Sequence, residues 1–95
     1  MKNIWRVEIS KQAEKQLRKI PRRIAKKLET WIEQVQFGGL EQVRMISGYH
    51  DEPLSGNRWG QRSIRLSRAY RAIYVIKDDA VAEFIVVEEV TKHAY

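Results

Sequence analysis

The sequence predicts an α+β domain of order β-α-α-β-β-β, with two N-terminal helices packed on one face of a small, mostly antiparallel sheet. Two observations carry this. In the N-terminal half, apolar residues recur at helical spacing: Ile24, Leu28, Trp31, Ile32 and Val35 form one stripe. In the C-terminal half they recur with period two, in short segments separated by tight turns. The 95 residues make a single domain, 1–95, with one modest core.

Residues 4–9, IWRVEI, alternate with Trp5, Val7 and Ile9 on one face and read as a half-buried strand. Ser10 follows at an N-cap position, where a hydroxyl accepts an early helix amide. Ala13, Leu17 and Ile20 keep helical spacing up to Pro21, which cannot prolong that helix but suits the first turn of the next. The second helix carries the long stripe and closes at Gly38-Gly39. Residues 40–47 are expected to make a short helical turn that packs Leu40, Val43 and Ile46 under the sheet, and Gly48 to Gly60 a polar loop. Strands follow at roughly 61–67, 70–77 and 81–90, with turns at Arg68-Ala69 and Lys77 to Ala80. Strands joined so closely form an antiparallel meander. Helices on one face leave the other open for a concave site.

The net charge of +6 is unevenly placed: residues 1–47 hold eleven Lys/Arg against five Asp/Glu, and residues 48–95 hold seven of each. A basic surface of this kind meets nucleic acid or an acidic partner, or simply keeps the protein solvated. A hydrophobic content of 43% argues against disorder. No apolar run approaches the roughly 18 residues of a membrane span, and MKNIWRVEIS lacks the apolar segment of a secretory signal. The expectation is a cytoplasmic protein with no membrane contact. Cysteine is absent, which excludes disulfides and thiolate zinc sites. No phosphate loop and no nucleophile elbow is present.

The stretch His50 to Tyr74 concentrates the candidate chemistry, with five arginines at 58, 62, 65, 68 and 71. Alternation sets Ser63, Arg65 and Ser67 opposite Ile64 and Leu66, so Arg65 points to the open face if the aliphatics meet the helices. Arg71, second in the next strand, would converge with it. Two guanidiniums over one phosphate stabilise the added charge of a pentacoordinate transition state. Alternatively both pair with Glu83, Glu88 or Glu89. Arg62 shares the parity of Ile64 and falls at the periphery, with Arg58 and Arg68 supporting RNA contact. Glu52, stiffened by Pro53, is either a base for a ribose 2′-hydroxyl or part of a plain polar turn. In the tail, Lys92 adds a cation and His93 titrates near neutrality, while Tyr95 offers a ring for stacking; the other reading is a frayed end. Lys19, Arg22, Arg23 and Lys26 on the helices form an RNA-backbone or ribosome patch, or a solvated face. His50, Asp51 and His93 lack regular ligand spacing, so no metal or other cofactor is expected.

The segments EPLSGNRWGQRSI (52–64), AYRAIY (69–74) and KHAY (92–95) resemble the RelE/ParE superfamily of toxins from bacterial type II toxin–antitoxin modules, nearest the HigB, YoeB and YafQ branches. The resemblance implies a ribosome-dependent, metal-independent messenger-RNA endonuclease that leaves a 2′,3′-cyclic phosphate. By its motif, Glu52 holds the position before the Pro-Leu pair, Arg71 that of the transition-state arginine, Arg65 the basic residue of the preceding strand, and His93 the terminal histidine, with Tyr95 nearby. Either Glu52 or His93 would take the 2′-hydroxyl proton, and His93 would protonate the 5′-oxygen. YoeB-like tails have histidine and tyrosine adjacent, whereas Ala94 separates them here. The resemblance also implies a cognate antitoxin, and engagement of messenger RNA in the ribosomal A site. A ParE-like inhibitor of DNA gyrase is the alternative on the same fold.

Overall fold

The structure is a computed structural model that describes residues 3–92. In chain order it contains strand β1 (Val7–Ile9), helices α1 (Lys11–Leu17), α2 (Arg22–Gly38) and α3 (Leu40–Arg44), and strand β2 (Glu52–Pro53). Strands β3 (Arg62–Arg65), β4 (Tyr70–Asp78) and β5 (Glu83–Lys92) follow, with 3-10 turns at Ser47–Tyr49 and Gly56–Arg58. All five strands join one sheet of order β1-β5-β4-β3-β2. The α+β class and the β3-β4-β5 meander stand as expected. β1 lies parallel to β5, because the helical layer intervenes between them in the chain. Among the described residues, no helix is long and apolar enough to cross a membrane.

The α2 stripe packs as its spacing predicts: Ile24, Leu28, Trp31 and Val35 are buried against Ile64, Leu66, Ala72, Tyr74, Ile85 and Val87. The Trp31 and Tyr74 rings meet at 5.3 Å between centroids, tilted by 43°. Ser10 caps α1 by accepting from the Ala13 amide at 3.0 Å, and its hydroxyl donates to the Glu88 carbonyl at 2.9 Å. One residue thus starts the helix and ties it to β5.

The structure departs from the expectation at four places. Sheet pairing begins only at Val7, and the preceding segment turns Ile4 inward, its carbonyl accepting from the Leu40 amide, so Trp5 is left half-exposed. α1 stops at Leu17, short of Pro21, with Lys19 bonding back to Gln16. Ile46 is exposed; Tyr49 is buried in its stead, with its hydroxyl donating to Gln34 at 2.6 Å. The polar loop contains an edge strand, Glu52–Pro53, paired with β3. Proline lacks an amide hydrogen, which suits an edge.

A β-bulge interrupts the β4–β5 ladder. Ile73 faces Glu89 and Tyr74 faces Val87, so Glu88 has no partner across the strand. At the other end of the core, Gly39 closes α2 with φ +85°, and a Cβ there would stand 2.1 Å from the Asn3 side chain. Gly39→Ala is therefore expected to lower unfolding free energy by about 1–2 kcal/mol, measured by urea denaturation. An equal loss on Gly38→Ala, where a Cβ meets nothing within 4 Å, would contradict this account.

Candidate functional site

Strand register lays out the helix-free face as two rows of cross-strand neighbours. One row runs Glu52, Ser63, Ile73, Glu89 across β2, β3, β4 and β5. The next runs Arg65, Arg71, Thr91. Both rows contribute to a cleft of about 300 Å³ lined also by Leu54, Arg58 and Lys92.

Arg71 is the centre of this cleft. Its side chain is 9% exposed, and burying a cation is tolerated only with partners. Nη1 donates to Ser63 Oγ at 2.9 Å and to Glu52 Oε1 at 3.1 Å; Nη2 donates to the same oxygen at 3.1 Å. Glu52 meets the end of the guanidinium, which leaves Nε and the second hydrogen of Nη2, along the Nε–Nη2 edge, with no further partner among the described residues. That edge has the fork geometry that receives a phosphate in two hydrogen bonds. Glu52 itself is 53% exposed and so remains accessible from the cleft.

The segment from Leu54 to Gln61 lies over the β5 side of the cleft. Leu54 donates its amide to the Gln61 carbonyl at 2.9 Å, closing the loop at its base. Arg58 reaches both Glu89 carboxylate oxygens at 3.2–3.3 Å, and Gln61 donates to Glu88 at 3.0 Å. The loop is thus fastened to β5, and Ile73 beneath is buried although it lies on the helix-free face.

On the helical side of β2, Asp51 makes a second network. Its side chain is 1% exposed and accepts from Arg62 Nε at 2.7 Å and from the Tyr74 hydroxyl at 2.5 Å. Burial raises the Tyr74 pKa, and the neighbouring Asp51 carboxylate raises it further against the opposing effect of Arg62. For Arg62, burial disfavours the charge but the hydrogen bond and charge of Asp51 outweigh it, so its pKa is raised.

The structure brings Glu52, Arg71, Arg58 and Lys92 into one cleft. Arg65 sits directly across from Arg71 in the ladder, exposed and outside the cleft lining. Arg71 pairs with Glu52, while it is Arg58 that engages Glu89. Arg62 belongs to the Asp51 network on the other face, in line with its parity, and Arg68 is exposed in the β3–β4 turn. Lys19, Arg22, Arg23 and Lys26 lie on the helical layer, where Arg22, Arg23 and Lys26 border a separate concavity with Glu29. His93 and Tyr95 lie outside the described residues. No grouping of three or more His, Asp or Glu residues suited to a metal occurs among the described residues. Sequence reasoning missed Ser63 as the support of Arg71, although its shared parity with Arg65 signalled the face it occupies.

A family model described as the ParE toxin of the type II toxin–antitoxin system parDE matches residues 7–89. No curated protein matches the chain. Among solved structures, a YoeB/ParE toxin from Agrobacterium tumefaciens superposes with a TM-score of 0.70 at 15% identity, covering 94% of this chain and 99% of that one. YafQ from E. coli gives 0.71 at 20% identity, covering 92% and 91%. The RelBE2 toxin–antitoxin complex from Mycobacterium tuberculosis gives 0.64 at 24% identity, covering 95% and 99%. At these identities the structural likeness establishes the shared fold.

The raised Tyr74 pKa has a consequence for stability. Its contribution is fully present below the ordinary tyrosine value near 10 and is lost as pH rises toward the folded value. The urea midpoint of the wild type is expected to fall between pH 9 and pH 11.5, and Tyr74→Phe to show a shallower fall. Parallel pH profiles for the two proteins would refute the assignment.

Proposed function

Since the chain belongs to the ParE toxin family of type II toxin–antitoxin systems, we propose that it is a toxin that acts as an endoribonuclease on messenger RNA in the ribosomal A site. The observation that carries this reading is the contact of the exposed Glu52 carboxylate with the buried Arg71 guanidinium inside a cleft, at 3.1 Å. It sets a base beside a phosphate ligand whose open edge has no other partner among the described residues.

The reaction is a transesterification that needs no metal. Glu52 takes the proton of the ribose 2′-hydroxyl, whose oxygen attacks the adjacent phosphorus. Arg71 holds the non-bridging oxygens and gains strength as their charge grows in the transition state. Arg65 adds positive potential from the neighbouring row. The bond from phosphorus to the 5′-oxygen breaks, and His93 supplies the proton to that oxygen. The chain reaches His93 directly after Lys92, which lines the cleft. The products are a 2′,3′-cyclic phosphate and a free 5′-hydroxyl. Tyr95 stacks on or orients the substrate, and Arg58, Arg62, Arg68, Lys92, Lys19, Arg22, Arg23 and Lys26 supply phosphate and ribosome contacts. The reading places the protein in the cytoplasm, with a cognate antitoxin whose acidic segments complement the +6 charge.

The match to a ParE toxin model fits a second reading, the ParE-like inhibitor of DNA gyrase that acts by binding. One experiment separates them. The wild type, Glu52→Gln, Arg71→Ala and His93→Gln are each assayed on translated messenger RNA and on gyrase with supercoiled DNA. We expect RNA cleavage by the wild type, with losses of about 10²–10³-fold in each variant, and no gyrase-dependent breaks. Gyrase-dependent breaks without RNA cleavage, or full cleavage by both Arg71→Ala and His93→Gln, would overturn the proposal.

A further inference from the structure

Arg58 and Glu89 face each other across the cleft, one from the overlying loop and one from the sheet floor. The two Nη atoms of Arg58 reach both carboxylate oxygens of Glu89 at 3.2–3.3 Å, while Gln61 steadies the guanidinium at 3.1 Å. A fork of nitrogen donors on two oxygens of one anion is the same arrangement that an arginine makes with a phosphodiester. The Arg58 side chain is 46% exposed, and ion pairs in such a setting are weak, so a change of partner costs little.

Position in the sheet separates this cation from Arg71. Arg71 leans toward Ser63 and Glu52, whereas Arg58 is held over Glu89 at the opposite end of the same row. Ser63 and Glu89 are two strand spacings apart, about 10 Å. That separation suits two phosphates of one strand better than a single phosphate shared by both arginines. Lys92 lines the same cleft and adds a second cation for the additional phosphate.

We propose that Arg58 forms a second phosphate subsite, for a phosphate of the RNA strand other than the scissile one, and that the Glu89 carboxylate stands in for that phosphate. This rests on the RNA-cleaving reading above. Entry of the strand exchanges Glu89 for phosphate on Arg58 and leaves the Glu89 charge opposing the bound chain. Glu89 therefore limits affinity, and its loss strengthens binding.

The test measures binding of a fluorescein-labelled, single-stranded 2′-O-methyl oligoribonucleotide, which the reaction cannot cut, by anisotropy between 50 and 200 mM salt. Wild type, Glu89→Gln, Arg58→Gln and Arg71→Ala are compared, with thermal melts confirming that each is folded. Glu89→Gln is expected to bind five- to tenfold more tightly than wild type at low salt. Arg58→Gln is expected to bind more weakly and to lose about 0.7 from the slope of log affinity against log salt, the value of one single-strand phosphate contact. Unchanged or weaker binding by Glu89→Gln, or an unchanged slope in Arg58→Gln, overturns the subsite while leaving the RNA reading in place. If the wild type fails to bind the free strand, the subsite falls, and the RNA reading is decided separately by the cleavage assay on translated messenger RNA.

Discussion

Two adjacent carboxylates, Asp51 and Glu52, leave the chain on opposite faces of the sheet, as strand alternation requires. An arginine from β3 receives the first, and one from β4 receives the second. The strand that carries them is two residues long and pairs with a single neighbour, so the ladder alone gives it little support. Its position depends on these two ion pairs. The inner pair reaches the hydroxyl of Tyr74, whose ring packs on Trp31 in the core. The outer pair meets Arg71 in the cleft. The edge strand is therefore keyed on one side to the packing of α2, and on the other it presents a carboxylate to the candidate chemistry. Removing either acid would leave a partly buried arginine without its counter-charge, which is costlier than losing an exposed pair.

Arg71 shows the same economy. Its burial among Ser63, Glu52 and Ile73 restricts its rotamers, and the exclusion of water from most of its surface strengthens whatever charge interaction it makes. A solvent-exposed lysine at that position would be screened and mobile. The overlying loop adds to the effect by covering Ile73 and narrowing the cleft, and it does so through side-chain contacts to Glu88 and Glu89 rather than through a hydrophobic seal.

Regular periodicity was the legible part of this chain. The α2 stripe, the Ser10 cap, the Gly39 stop and the three-stranded meander follow from spacing that no tertiary contact overrides. So does the sharing of one face by Arg65 and Arg71. Elements held by side chains rather than by repeated backbone pattern were less legible. The two-residue strand at Glu52 is too short for any period to show, and the inward turn of Ile4 depends on the α2–α3 junction. Nothing local distinguishes Arg58, which pairs with an acid thirty-one positions away, from the other arginines of its stretch.

The bulge at Glu88 carries a further lesson. It shifts the phase of β5: Ile85 and Val87 face the helices, and after the extra residue Val90 does so as well, leaving Glu89 and Thr91 on the cleft side. Uninterrupted alternation would place Glu89 and Thr91 inside the core and Val90 in the cleft. Residues downstream of Glu88 must therefore be counted from the bulge, and an insertion or deletion there would exchange core and cleft positions without changing the composition of the strand. An alignment of this chain to any relative that ignores that single residue would compare interior side chains with cleft-facing ones.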